Sequence, residues 1–288
     1  MSEGSKIQWC DHSFNPWWGC ARVSPGCANC YAERLAARWG HDLWAKRGPR
    51  RRFGEAHWGE PLRWNRRAER EGRRARVFCA SMADVFEDHP ALAPEREKLW
   101  RLIEQTPWLE WQLLTKRPEN VGGMAPWGSS WPPNVWLGVS AENQEFAERR
   151  IHRLLQIPAA LRFVSAEPLV GPIDLRGLRA PNGAPIDCPG GEVIDSRDGI
   201  DAACPDRIHW VIAGGESGPG ARPMDLAWAR RLVVDCRSVG VPVFVKQLGS
   251  AWAKDRHADP KGGDWELWPK DLAVREMPAS LGAGAADE

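Results

Sequence analysis

From Val77 onward the chain repeats one pattern, a short continuous apolar run followed by a helical stretch. The runs fall at 77–81, 111–115, 135–140, 162–166, 209–213 and 241–246. Runs without polar alternation read as strands buried on both faces. Helical patterns at 93–105, 141–155 and 226–239 separate some of them. Strands alternating with helices imply a parallel sheet covered by helices. No dinucleotide glycine fingerprint follows the first run, which argues against a Rossmann arrangement. The number of repeats predicts an α/β fold, a full or partial (β/α) barrel with parallel strands. The rhythm breaks only at 171–208, rich in Gly, Pro and Asp and holding Cys188 and Cys204. That stretch reads as an insert, a lid or partner surface, within a single domain over 1–278. Residues 279–288 are Ala, Gly and acidic, the composition of a disordered tail.

Ahead of this rhythm lies a cysteine loop. Cys20, Cys27 and Cys30 are spaced C-x6-C-x2-C, with Pro25-Gly26 as a turn before the second cysteine. Good helix formers follow at 32–38. Three thiolates aimed from one loop suit an iron–sulfur cluster with one open iron, or a zinc ion with one outside ligand. Cys10 reads as a buried structural thiol. A first strand around 16–19 is expected to lead into the loop.

The whole chain carries a formal charge of only +1, yet residues 46–76 hold twelve cationic side chains against four acidic ones. A local excess of that size attracts phosphates. His57, Trp58 and Trp64 are interleaved with it and suggest stacking on unpaired bases. The other reading of the stretch is a solvated arginine-rich helix. Eight cysteines in 288 residues do not make a disulfide scaffold. The start of the chain is polar, and no apolar run is long enough to span a bilayer, so a cytoplasmic protein with reduced thiols and no membrane contact is expected.

Polar residues gather just after the predicted strands. Ser81 and Asp84 follow one run, Thr115, Lys116 and Arg117 the next, then Ser140 and Glu142, then Glu167, then Glu216, with Lys246 ending the last. In barrel proteins the loops at the C-terminal strand ends build the site. Glu167, Glu216 and Lys246 each abut an apolar run and are the expected residues for orienting substrate or moving protons.

Several of these stretches resemble a known family. Phe14-Asn15-Pro16-Trp17-Trp18-Gly19-Cys20, Ser24-Pro25-Gly26-Cys27-Ala28-Asn29-Cys30-Tyr31, Ser81-Met82-Ala83-Asp84, Leu114-Thr115-Lys116-Arg117-Pro118, Ser165-Ala166-Glu167-Pro168 and Gly214-Gly215-Glu216-Ser217 carry the resemblance. It is to a phage-associated three-cysteine-motif family, mostly of unknown function and similar to radical S-adenosylmethionine (radical SAM) enzymes. The resemblance implies a [4Fe–4S] cluster on Cys20, Cys27 and Cys30, with S-adenosyl-L-methionine (SAM) on the open iron. Ser81, Asp84, Thr115, Ser140 and Glu142 are then expected to hold SAM. It also implies a three-Cys-motif partner protein, and the basic stretch adds a nucleotide or nucleic acid as substrate. This chain departs from the usual radical SAM spacing, C-x3-C-x2-C with an aromatic before the last cysteine. Here the first gap is six residues and Tyr31 follows the last cysteine. Gly214-Gly215-Glu216 lies on a late strand, so the superfamily's amino-group role is not carried over to it. Two other classes fit the same residues: a zinc-bearing nucleic-acid binding module without catalysis, and a scaffold for a partner protein.

Overall fold

The computed structural model describes residues 4, 5, 7–186, 207–254, 256 and 258–279. Most of the predicted insert's second half, with Cys188 and Cys204, and the tail beyond 279 lie outside the described residues. The chain forms two compact units, Met1–Gly138 and Val139–Glu288.

The first unit runs β1 (His12–Ser13), β2 (Trp17–Trp18), α1 (Tyr31–Arg38), β3 (Arg51–Arg52), α2 (Glu55–Trp58), α3 (Glu60–Glu71), β4 (Ala75–Cys79), α4 (Ala93–Glu104), β5 (Leu109–Thr115) and α5 (Val121–Met124). β6 (Val135–Ser140) carries the boundary. β1 pairs parallel to β4 with His12 opposite Val77, and β4 pairs parallel to β5 with Val77 opposite Trp111. Phe14 and Trp111 are fully buried and meet edge to face at 5.8 Å.

The second unit holds α6 (Gln144–Leu155), β7 (Leu161–Ala166), β8 (Trp210–Gly214), α7 (Leu226–Arg237), β9 (Val243–Gln247) and α8 (Ser250–Lys254). β7, β8 and β9 pair in parallel, with Val164 opposite Val211 and Ile212 opposite Phe244. Every residue of β7 and β8 is buried, Arg162 and Ser165 of β7 included. Seven strands stand in the sheet in chain order, β1-β4-β5-β6-β7-β8-β9. That order lacks the reversal of a doubly wound sheet and is the topology of a partial (β/α) barrel. Among the described residues, no helix is long and apolar enough to cross a membrane.

The expected first strand is corrected. The sheet begins at His12–Ser13, whereas Trp17–Trp18 pairs antiparallel with Arg51–Arg52 in a separate ribbon. Asp11 fixes β1, because its carboxylate accepts the Arg76 amide at 2.8 Å. The ribbon is held by Arg51, whose guanidinium lies 4.7 Å from the centre of the Trp18 ring. Helix α6 starts later than its pattern because the Asn143 side chain caps it, accepting from the Phe146 amide at 3.1 Å.

One arginine of the basic stretch sits inside the first unit. Arg50 pairs with Glu87 at 2.8 Å, and both side chains are almost wholly buried. Its Nη1 also donates to the carbonyls of Leu43, Ala45, Gly48 and Pro49. Removing one partner of such a pair strands a buried charge. Arg50→Met is therefore expected to cost about 3–5 kcal/mol, read from urea unfolding.

In the second unit burial pushes His209 down from its ordinary 6.5 to about 4, with Arg207 and Arg162 adding to the effect. Its Nδ1 accepts the Arg162 amide at 3.1 Å, which holds the ring neutral in the fold. Between pH 6.5 and about 4 the unfolded chain binds this proton and the folded chain does not. Stability is thus lost as pH falls through that window. His209→Gln should flatten this part of the pH–stability curve in chemical denaturation.

Candidate metal centre

The cysteine loop is anchored at both ends. At its start the Gly19 amide donates to the Met82 carbonyl at 3.0 Å. Gly19 has φ +114, and a Cβ there would lie 2.7 Å from Cδ of Arg50 and 2.8 Å from the Leu43 carbonyl. Only glycine lets the backbone pass so close to the sealed arginine. At its end Pro25–Cys27 makes one 3-10 turn, and α1 begins directly after Cys30. Tyr31 then ties the helix to the segment after β4, its hydroxyl donating to the Ser81 carbonyl at 2.7 Å.

The three thiols sit in different surroundings. Cys20 faces Arg117, whose Nη1 donates to its sulfur at 3.5 Å while Nη2 donates to the Ala21 carbonyl at 2.7 Å. Burial pushes the Cys20 thiol up to about 12; Arg117 pulls against this, and Asp84 and Glu87 add to it. Burial also raises Cys30, opposed by the amides of Glu33 and Ala32 at the helix start and by Lys116. Cys27 stands near Ser24 at 3.8 Å and acts electrostatically on Cys30. Cys20 and Cys30 pack on one apolar cluster of Ala32, Ala36, Leu43, Trp44 and Met82.

Behind Cys20 runs a chain of buried charges. Arg117 Nη1 donates to Asp84 Oδ2 at 2.8 Å, and its Nη2 lies 4.0 Å from Glu87. Asp84 also accepts from the Thr115 hydroxyl at 2.8 Å, the Lys116 amide at 3.0 Å and the Phe86 amide at 3.0 Å. Glu87 passes the network on to Arg50. A cavity of about 600 Å³ opens beside this network, with Ala21, Arg22, Glu33, Asp42, Glu87 and Arg117 in its wall.

The donor set is chemically suited to a thiophilic centre: three thiols on one loop, with Arg117 and Lys116 acting on two of them. Among the described residues, however, no three His, Cys, Asp or Glu side chains form a group that could hold a metal ion as they stand. The Cys20 sulfur also donates to the Ala21 carbonyl at 3.4 Å. Cys10 precedes β1, Cys79 ends β4 and Cys236 lies on α7 of the second unit; all three are buried.

The other expected site residues divide between the units. In the first, Ser81 exchanges hydrogen bonds with Asn15, while Asp84 and Thr115 belong to the Arg117 network. In the second, Glu142 pairs with Arg150 at 2.7 Å in full burial, and the Ser140 carbonyl accepts from the same guanidinium at 2.8 Å. Glu216 is gripped by Arg222 through Nε at 3.0 Å, Nη2 at 2.6 Å and the backbone amide at 2.8 Å. Glu167 and Lys246 meet at 2.6 Å with side chains 18% and 22% exposed, so both partners of this pair reach solvent. A Cβ added at Gly214 would lie 3.4 Å from the Glu167 carboxyl carbon, and one on Gly215 would collide with the Leu248 carbonyl. The Gly-Gly-Glu run is thus explained by close packing and by the Arg222 pair. Arg117, Glu87 and Arg50, the frame of the cysteine loop, were not among the expected site residues; no spacing signal joins positions so far apart in the chain.

Because burial keeps Cys20 protonated, metal-free protein treated with iodoacetamide at pH 8 should leave Cys20 unmodified. Labelling there should rise only as pH climbs toward about 12. Peptide mapping by mass spectrometry checks this, and rapid Cys20 labelling at pH 8 contradicts it.

No curated protein matches the chain. One similar solved structure is a mutant of spore photoproduct lyase with bound AdoMet and dinucleoside spore photoproduct. It is 14% identical, with a TM-score of 0.42 over 57% of this chain and 47% of that one, so the chain spans about half that protein's length. The profile of a family of unknown function, DUF5131, matches residues 4–276, nearly the whole chain. The protein therefore belongs to the DUF5131 family.

Proposed function

We propose that this protein is a radical-SAM-type iron–sulfur enzyme in which Cys20, Cys27 and Cys30 hold a [4Fe–4S] cluster and SAM occupies the open iron. The observation that carries this reading is the loop itself. It offers three thiols, two packed on one apolar cluster and the third acting on its neighbour. Three protein ligands leave one position open, as a catalytic centre needs and a closed structural site does not. When bound, such a cluster supplies the electron that cleaves the SAM sulfonium to methionine and a 5′-deoxyadenosyl radical.

The chain's own residues have definite parts in this proposal. Arg117 holds the Cys20 end of the loop through the Ala21 carbonyl and donates to the sulfur. Asp84 and Thr115 fix that guanidinium, which makes them supports of the loop. Ser81, beside Tyr31 and Asn15, remains the polar group of the first unit proposed to touch SAM. Within the second unit, Ser140 and Glu142 are engaged with Arg150. Glu167 and Lys246 are the proposed proton-handling pair, with Glu216 held ready by Arg222.

Anaerobic reconstitution with iron and sulfide should give a brown protein that, once reduced, converts SAM to 5′-deoxyadenosine and methionine. Cys27→Ala should remove the visible absorbance and the product together. One zinc per chain in a colourless protein as purified, with no product after reconstitution, would favour the binding-module reading.

A further inference from the structure

The basic stretch of residues 46–76 does not act as one patch. Arg50 is sealed with Glu87, and Arg73 and Arg76 face Asp11 at 3.5 and 3.9 Å. The aromatics expected to stack on bases are committed as well. Trp58 and Trp64 are 4% exposed, which corrects their expected role. Trp64 is stacked on His12 at 4.4 Å and His57 on Phe53 at 4.1 Å. The open aromatic surface lies before this stretch, at the end of α1.

Trp39 caps α1, its amide donating to the Ala36 and Ala37 carbonyls. The helix buries Ala32 and Ala36 against Leu43, Trp44 and Met82, and Trp18 packs on the same cluster. The Trp39 side chain is 63% exposed, the most open aromatic among the described residues. It meets Trp18 edge to face at 5.9 Å, with the ring planes 77° apart. That contact covers at most one face of the indole, and among the described residues no ring or cation is stacked on it. A lone exposed tryptophan needs no explanation, but this one has a particular setting. Arg51 lies 4.7 Å from the centre of the Trp18 ring. Its Nη1 donates to His41 Nε2 at 2.9 Å, two residues on from Trp39. Among the described residues no carboxylate pairs with Arg51. From Arg34 to Arg52 the chain carries seven cationic side chains against one acid, Asp42. Arg50 and Arg52 have carboxylate partners, and Arg34 donates to the Asn29 carbonyl. Arg38, Lys46 and Arg47 are exposed. An open indole on a packed helix end, in a segment whose cations outnumber its acids, suits a polyanion that carries flat rings.

We infer that Trp39 is a stacking platform for an unpaired base of a single-stranded nucleic acid, with the cations of residues 34–52 attracting its phosphates. Stacking on an aromatic side chain tolerates any sequence, because every base has a π-face. Charge adds attraction without reading the base. Trp18 backs the platform, and Arg51 holds Trp18 by a cation–π contact. In a duplex the bases cover one another's faces, so the platform serves unpaired strands. The inference stands on α1 and the ribbon, and it is independent of the proposed cluster.

The test is fluorescence anisotropy of full-length protein as purified, with labelled single strands of about 12 nucleotides and mixed sequence, one DNA and one RNA, at about 50 mM salt. Trp39→Ala should lower affinity for the better-bound strand by roughly five- to 150-fold. Trp39→Phe, which keeps a π-face, should retain most of the wild-type affinity. Trp39→Leu, apolar but without a π-face, should behave as Trp39→Ala. The log–log salt slope should be the same in all four proteins, because the indole carries no charge. A duplex of the same sequence should bind wild type and Trp39→Ala equally. Unchanged urea midpoints, expected for an exposed side chain, show that the variants keep the fold. Absence of binding to both single strands overturns the proposal, and so does Trp39→Ala binding within about twofold of wild type. Wild-type affinity in Trp39→Leu also overturns it and shows an apolar contact in place of stacking.

Discussion

The first unit depends on a relay of buried charge. Arg50 faces Glu87, Glu87 approaches Arg117, and Arg117 grips Asp84 and the Cys20 end of the cysteine loop. Ion pairs out of water are costly unless every donor and acceptor is satisfied. Here they are close to satisfied: Arg50 spends one nitrogen on four carbonyls, and Asp84 accepts four donors. The two arginines thereby replace secondary structure. Between Gly19 and Cys30 the chain has one 3-10 turn, and the carbonyls of Leu43, Ala45 and Ala21 find their partners in guanidinium groups. This is how an irregular loop is held in place ahead of α1.

The same logic explains what could be read from the sequence. β6 and β8 were legible because their buried residues form nearly continuous apolar runs, and β5 and β7 were legible from shorter apolar runs although they also bury Glu110, Gln112 and Arg162. The start of the sheet was not. β1 is two residues, one of them His12, and its place is fixed by a side chain–backbone bond from Asp11 to Arg76, 65 positions away. Two tryptophans at 17–18 gave a stronger apolar signal, yet they belong to the antiparallel ribbon, where an arginine on the ring replaces burial against a sheet. The start of α6 was displaced because capping by Asn143 outweighs the good helix formers before it.

For the site, the sequence displayed residue types but not partners. Glu142, Glu167 and Glu216 all stood out as acids against apolar runs. Only coordinates distinguish the fully buried Glu142–Arg150 pair from the partly open Glu167–Lys246 pair, 79 positions apart. The glycines before Glu216 show the opposite lesson. Their pattern suggests ligand binding, while Gly215 is required simply because the Leu248 carbonyl occupies the space of a side chain.

Arginine in this chain is therefore two different materials. Inside, at Arg50, Arg117 and Arg150, it is a planar connector that satisfies carbonyls and carboxylates together, a role lysine's single point charge cannot fill. Outside, on α3, Arg63, Arg66, Arg67 and Arg70 stand exposed on one face of the helix. The two uses respond differently to solvent. Buried pairs are little screened by salt, whereas an exposed stripe loses its field within about a Debye length of 8–10 Å at ordinary ionic strength. Raising salt should therefore weaken the field of the exposed arginines while leaving the inner relay, and with it the cysteine loop, in place. Salt thus acts on the arginines that face solvent and not on those that hold the fold.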